Sequence, residues 1–169
     1  MAAGKGTTAV SGTDKKVEIS RFEKHLDQAT DEVFSTMIGV SCAPAGESPV
    51  GEAETISAVI GLAGALSGSL VLHSSSVAAM RIAERMTGIE PGGVDALVRD
   101  AVGEMCNMVA GAWKGRDPLL ISGCLLSTPT VVSGTSYLLF SQRAPIRIER
   151  HYRFEELTFM IILSCELPG

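Results

Sequence analysis

Between Ser20 and Ile38 the apolar residues Phe22, Leu26, Ala29, Val33 and Met37 return every three or four positions, the spacing that lines one face of an α-helix, and Gly39 supplies a stop. The pattern then changes character. Thr55 to Leu62 and Leu66 to His73 are apolar runs rich in β-branched residues, and Ala63-Gly64-Ala65 between them predicts a β-hairpin. Ser74, Ser75 and Ser76 offer caps for a second helix through Ala79, Ile82, Ala83 and Met86, which Thr87-Gly88 and the Pro91-Gly92-Gly93 turn bring to an end. A longer helical pattern covers Val94 to Lys114. Beyond Pro118 the chain reads as strands over Leu119 to Leu126, Thr135 to Phe140, Ile146 to Phe154 and Leu157 to Cys165. The order predicts an α/β (α+β) fold in which helices pack on a mostly antiparallel sheet.

The third helix carries the most information. At about 100° per residue, Val94, Leu97, Val98, Ala101, Met105, Met108, Val109 and Ala112 share one broad face, which belongs to the core. Asp100, Gly103, Glu104, Asn107, Gly111 and Lys114 line the opposite side. A glycine inside a helix costs about 1 kcal/mol against alanine, so two of them beside an acid and an amide point to close approach by another backbone or side chain. On pattern alone two readings stand: a docking face, or a solvated surface with ordinary helix packing.

Composition removes several classes. At 169 residues, with 46% hydrophobic and 20% charged, the chain is long and apolar enough for one core without disulfide or metal staples. A net charge of −5 argues against a general nucleic-acid binder, which needs a basic face. Cys42, Cys106, Cys124 and Cys165 are scattered, with no C-x-x-C pair, and read as buried reduced thiols. Residues 1 to 16 are small and polar and read as a flexible tail before a single domain at 17 to 169. With no signal-peptide stretch and no apolar run near the roughly 18 residues of a membrane helix, no membrane contact is expected and the cytoplasm is the expected location.

An internal echo links the first and third helices: Ala29-x-x-Glu32-x-x-Ser35-x-x-x-Gly39 lies over Ala101-x-x-Glu104-x-x-Asn107-x-x-x-Gly111. The match is short, and either chance or duplication of a helix-plus-strands half accounts for it. The copies differ where Ser35 stands in place of Asn107.

The run Asp100-x3-Glu104-x2-Asn107, continued as Asn107-Met108-Val109-Ala110-Gly111, resembles the signature helix of the CheC/CheX/FliY chemotaxis phosphatase family, and its CheX branch most closely. The likeness spans most of residues 20 to 165, including the helix-hairpin-helix-helix order, the Leu70-Val71-Leu72-His73 strand running into a helix, and the Pro129 to Gly134 segment. The resemblance implies a CheC-like domain with a pseudo-duplicated half. CheX-like members keep one Glu/Asn helix and lose the other, which fits Ser35. It also implies a phosphatase acting on the aspartyl phosphate of a CheY-like response regulator, with Glu104 and Asn107 catalytic.

In that reading Asn107 positions the attacking water, Glu104 pairs with a lysine of the partner, and Asp100, Gly103, Gly111 and Lys114 form the partner-binding rim. The protein needs no cofactor of its own, because Mg2+ is expected to be carried by the response regulator. A homodimer joined through strands is expected. The alternative is a module on the same fold that binds a response regulator or builds a scaffold without turning phosphate over.

Other chemistries find less support. His25, His73 and His151 are isolated and no G-x-S-x-G turn surrounds a serine, so a Ser/His/Asp hydrolase lacks its parts. A carboxylate metal site at Asp100 and Glu104 lacks further ligands, and no metal is expected. Arg143, Arg147, Arg150, His151 and Arg153 form a basic stretch with two readings: a docking patch for an acidic partner, or charge that discourages pairing at a sheet edge.

Overall fold

The computed structural model describes residues 12–47, 54–137, 139 and 144–167. The first helix, α1, spans Gly12–Ile38 and buries Phe22, Leu26, Ala29, Val33 and Phe34, so the apolar stripe is what docks it. Its partner in the sheet is aromatic: the Phe34 ring stacks on Phe159 at 4.8 Å and lies 5.3 Å from Phe154. Polar groups fix the same contact. Arg150 donates to both carboxylate oxygens of Asp27 at 3.0 and 2.6 Å, and the buried Tyr152 hydroxyl donates to Asp27 at 2.8 Å.

Helix α2, Ser76–Thr87, begins where the Ser75 hydroxyl accepts the Ala78 N–H at 3.2 Å. It ends at Gly88, whose φ of 73° and N–H to the Glu84 carbonyl make a left-handed cap that favours glycine. Helix α3, Ala96–Lys114, starts on Asp95, whose carboxylate accepts the Val98 N–H at 3.0 Å.

The described strands form one antiparallel sheet: β1 Cys42–Ala45, β2 Thr55–Gly64, β3 Ser67–Ser75, β4 Cys124–Leu126, β5 Thr130–Gly134, β6 Ile146–Phe154 and β7 Leu157–Glu166. Their order is β1-β6-β7-β3-β2-β4, with β5 also on β2. Period-two burial sets the faces. Ile56, Ala58 and Ile60 of β2, Leu70 and Leu72 of β3, and Phe159, Ile161 and Leu163 of β7 turn inward beneath the helices. The edge of β2 is shared, with Leu62 to Gly64 pairing β4 and Thr55 to Val59 pairing β5.

Three sequence expectations need correction. Leu119 to Leu126 is not one strand: Asp117 and Pro118 start a short helix, α4 (Pro118–Gly123), with the Asp117 carboxylate accepting the Leu119 N–H at 3.0 Å, and only Cys124–Leu126 is extended. The strand expected at Thr135 to Phe140 lies earlier, at β5, and Thr135 and Ser136 bend; Leu138 and Phe140 are outside the described residues. Residues 12 to 16, expected in a tail, belong to α1, while 1 to 11 fall outside the described residues. No helix among the described residues is long and apolar enough to cross a membrane.

Candidate functional site

Helix α3 is held on several sides, and that decides what it shows to solvent. Val98, Ala101, Val102, Met105, Cys106 and Val109 are buried. Trp113, also buried, meets the Phe22 ring of α1 edge-on at 5.3 Å. Cys106 pins the helix to the sheet, its thiol facing the Ala58 carbonyl of β2 at 3.5 Å. Burial pushes that thiol up to about 12, so it stays protonated.

The outward arc is therefore narrower than the sequence count. Of its six residues, Asp100 and Glu104 are exposed, Asn107, Gly111 and Lys114 are half-buried, and Gly103 is buried. Glu104 and Asn107 lie one helical turn apart, which places both side chains on one side of the helix. Neither side chain is engaged in a hydrogen bond or ion pair among the described residues. An acceptor-only carboxylate thus stands beside a carboxamide that both donates and accepts, with their polar atoms free for a partner or water.

Gly103 and Lys114 do not sit on that open surface. A Cβ on Gly103 would stand 3.2 Å from Val131 and 3.5 Å from Pro129, so the close approach its presence signals is made by this chain's own β5 segment. That segment is anchored beside α3 through Ser127, whose N–H donates to the Gly61 carbonyl at 2.9 Å and whose hydroxyl accepts the Gly61 N–H at 2.8 Å. Lys114 turns its ammonium to the Cys124 carbonyl at 2.5 Å and ties α3 to β4. Gly111 is different, because nothing lies within 4 Å of where its Cβ would be.

That open position belongs to a groove of about 480 Å³ between α1 and α3, with Leu126 of β4 as its third wall and Asn107 in its lining. Val33, Thr36, Met108 and Leu126 are lining residues that sequence reasoning did not single out.

The first copy of the echoed motif is occupied with structural tasks. Glu32 forms an ion pair with Arg116, which also donates to the Ala112 carbonyl at 2.8 Å. Asp31 accepts the Cys42 N–H at 2.9 Å, the Ser41 hydroxyl at 3.0 Å and the Ser35 hydroxyl at 3.4 Å. The Cys42 amide above all, helped by the two hydroxyls and opposed by burial, holds the Asp31 carboxyl below its ordinary range.

Among the described residues, the back of the sheet offers a hydrogen-bonded chain but no triad. The buried Ser57 hydroxyl lies 2.7 Å from His73 Nδ1 and 2.9 Å from the Tyr137 hydroxyl, and burial lowers the His73 pKa. The basic stretch divides: Arg147, Glu149, His151 and Arg153 alternate away from the helices, whereas Arg150 faces α1 and pairs with Asp27. Arg143 lies outside the described residues. β6 is not the outermost strand, since β1 covers His151 to Phe154, so the edge-protecting reading fails for that half.

Comparison with known proteins gives a consistent picture. The family model for Chemotaxis phosphatase CheX matches residues 56–149, which include α3. A curated Thermotoga maritima protein named CheY-P phosphatase CheX is 33% identical over 116 residues, 66% of this chain and 72% of that protein. The crystal structure of chemotaxis protein CheX from Vibrio vulnificus is 26% identical with a TM-score of 0.74, covering 86% of this chain and 96% of that one. The CheX-CheY-BeF3-Mg2+ complex from Borrelia burgdorferi, at 15% identity and a TM-score of 0.67 over 86% and 97% of the chains, shares the fold.

Proposed function

Since the chain belongs to the chemotaxis phosphatase CheX family, we propose that it hydrolyses the aspartyl phosphate of a CheY-like response regulator, with Asn107 positioning the attacking water and Glu104 holding the partner. The observation that carries the reading is the free Glu104 and Asn107 pair on the open arc of a helix held on its other sides. The name of the Thermotoga maritima relative supports the substrate class.

An aspartyl phosphate is an acyl phosphate, and its hydrolysis needs a water in line with the bond that breaks. The Asn107 carboxamide oxygen can accept a hydrogen bond from the water while its NH2 donates to a neighbouring oxygen, so it orients the water without bringing a negative charge against the phosphoryl group. Glu104 supplies that charge one turn away, where it meets a lysine of the partner. Mg2+ travels with the response regulator, and this chain supplies position rather than a metal. Asp100 and Gly111 extend the contact. Gly103 and Lys114 act through the segments they hold, β5 and β4. We place the protein in the cytoplasm as a homodimer, supported by its apolar composition and strand-rich second half.

The test is the decay of phosphate from purified CheY-like receivers with Mg2+, comparing the parent chain with Asn107→Ala and Glu104→Ala. Asn107→Ala is expected to remove the acceleration, a loss of about 10²-fold or more, while binding persists. Glu104→Ala is expected to weaken binding as well. A receiver that binds the parent chain yet loses phosphate no faster would transfer the fold to the scaffold reading.

A further inference from the structure

We propose that the groove between α1, α3 and β4 seats an apolar side chain that a phosphorylated receiver domain carries beside its aspartyl phosphate. The inference rests on the reading of Asn107 as the residue facing the phosphate, and adds to it a surface that selects the partner.

The walls set the chemistry of the occupant. Val33 of α1, Met108 and Ala112 of α3, and Leu126 of β4 present carbon to the groove, and Gly111 leaves its floor without a side chain. The carboxylate in the lining, Glu32, has its charge balanced by Arg116. Thr36 and Asn107 supply the remaining polar atoms. Apolar walls around a space of about 480 Å³ favour an aliphatic or aromatic side chain, which gains by leaving water there.

Continuity with Asn107 identifies the partner. Gly111 lies about 6 Å along the helix axis from Asn107, at 1.5 Å per residue. A receiver of about 100 residues has a radius of gyration near 13 Å. A domain of that size centred on Asn107 extends over Gly111, which lines the same groove. A second copy of this chain has no such reason to end at Asn107.

Gly111→Trp fills the groove from α3, where nothing obstructs a side chain, and Thr36→Trp fills it from the exposed side of α1. Neither alters Glu104 or Asn107. The affinity of each variant is measured for candidate CheY-like receivers loaded with BeF3− and Mg2+, a phosphate mimic that does not turn over. Both variants are expected to raise Kd by about tenfold or more, with the circular dichroism of the parent. A Kd within about twofold of the parent in a folded variant overturns the proposal. So does a variant that changes only the sedimentation of the protein, because the groove then belongs to a second copy. Should the parent bind a receiver without speeding its dephosphorylation, the proposed function falls and the groove is still judged by Kd. Should the parent bind no receiver, both fall.

Discussion

Two glycines on one helix make opposite demands, and replacing each by alanine separates them. In a helix interior the exchange gains about 1 kcal/mol from backbone entropy. At Gly111 nothing lies within 4 Å of the new methyl, so most of that gain is expected, about 0.5–1 kcal/mol this near the helix end. At Gly103 the methyl would stand 3.2 Å from Val131 and 3.5 and 3.6 Å from two atoms of the Pro129 ring. Carbon atoms prefer about 3.5–4.0 Å, so Val131 must retreat by a few tenths of an ångström. It is not free to do so, because it pairs with Ala58 in the β5–β2 ladder and the Pro129 ring flanks it. Overpacking of this kind costs about 1–3 kcal/mol. Gly103→Ala should therefore end between neutral and about 2 kcal/mol destabilising, with the gap between the two variants at about 0.5–3 kcal/mol. Urea denaturation reads the gap as a difference in midpoint at constant slope. Equal upward shifts for both variants would refute the argument, since β5 would then yield freely to α3.

Two further outcomes follow from titratable groups. The Asp31 carboxyl is held below its ordinary pKa, so its contribution is present at neutral pH and is lost as pH falls through the folded value. Asp31→Ala should cost about 1 kcal/mol at pH 7, and denaturation midpoints of the two proteins should converge below about pH 4; a constant gap on the acid side would show that the carboxylate's charge is irrelevant. Burial pushes the thiols of Cys42, Cys106 and Cys165 up to about 12, leaving about one thiolate in ten thousand at pH 8. A disulfide reagent should label them only after unfolding in guanidinium, and fast labelling of the native protein at any of the three would contradict this.

Elements whose period or cap is written locally were legible. Helix α2 lies between a serine cap and a glycine stop, β6 largely alternates, and β7 carries an unbroken apolar run from Phe159 to Leu163. Helix α4 was hidden because six residues cannot display a helical period, and Leu119, Leu120, Ile121, Leu125 and Leu126 look alike to a pattern count. Of the two buried positions there, Leu120 and Cys124, the spacing of four is helical, and the Asp117-Pro118 pair was the available signal. The four-residue β1, which contains Pro44, gives too little alternation to read. That Glu104 and Asn107 share one side of a helix was legible because α3 carries both. Gly103 was placed outward since glycine contributes nothing to an apolar count, and the side chains that cover it come from the distant β5 segment. The groove draws on α1, α3 and β4, and only their packing brings Val33, Thr36 and Leu126 beside Asn107.

The employment of α1 bears on how the two echoed helices can trade places. Glu32 is committed to Arg116, which straps α1 to the end of α3, and Asp31 with Ser35 secures the start of β1. An asparagine at position 35 would restore the motif on paper while its acid stayed paired with Arg116. Freeing Glu32 would remove one polar link between α1 and α3, which also meet through the buried Phe22 and Trp113 rings. A second Glu/Asn pair on α1 would therefore have to give up a polar link between the two echoed helices.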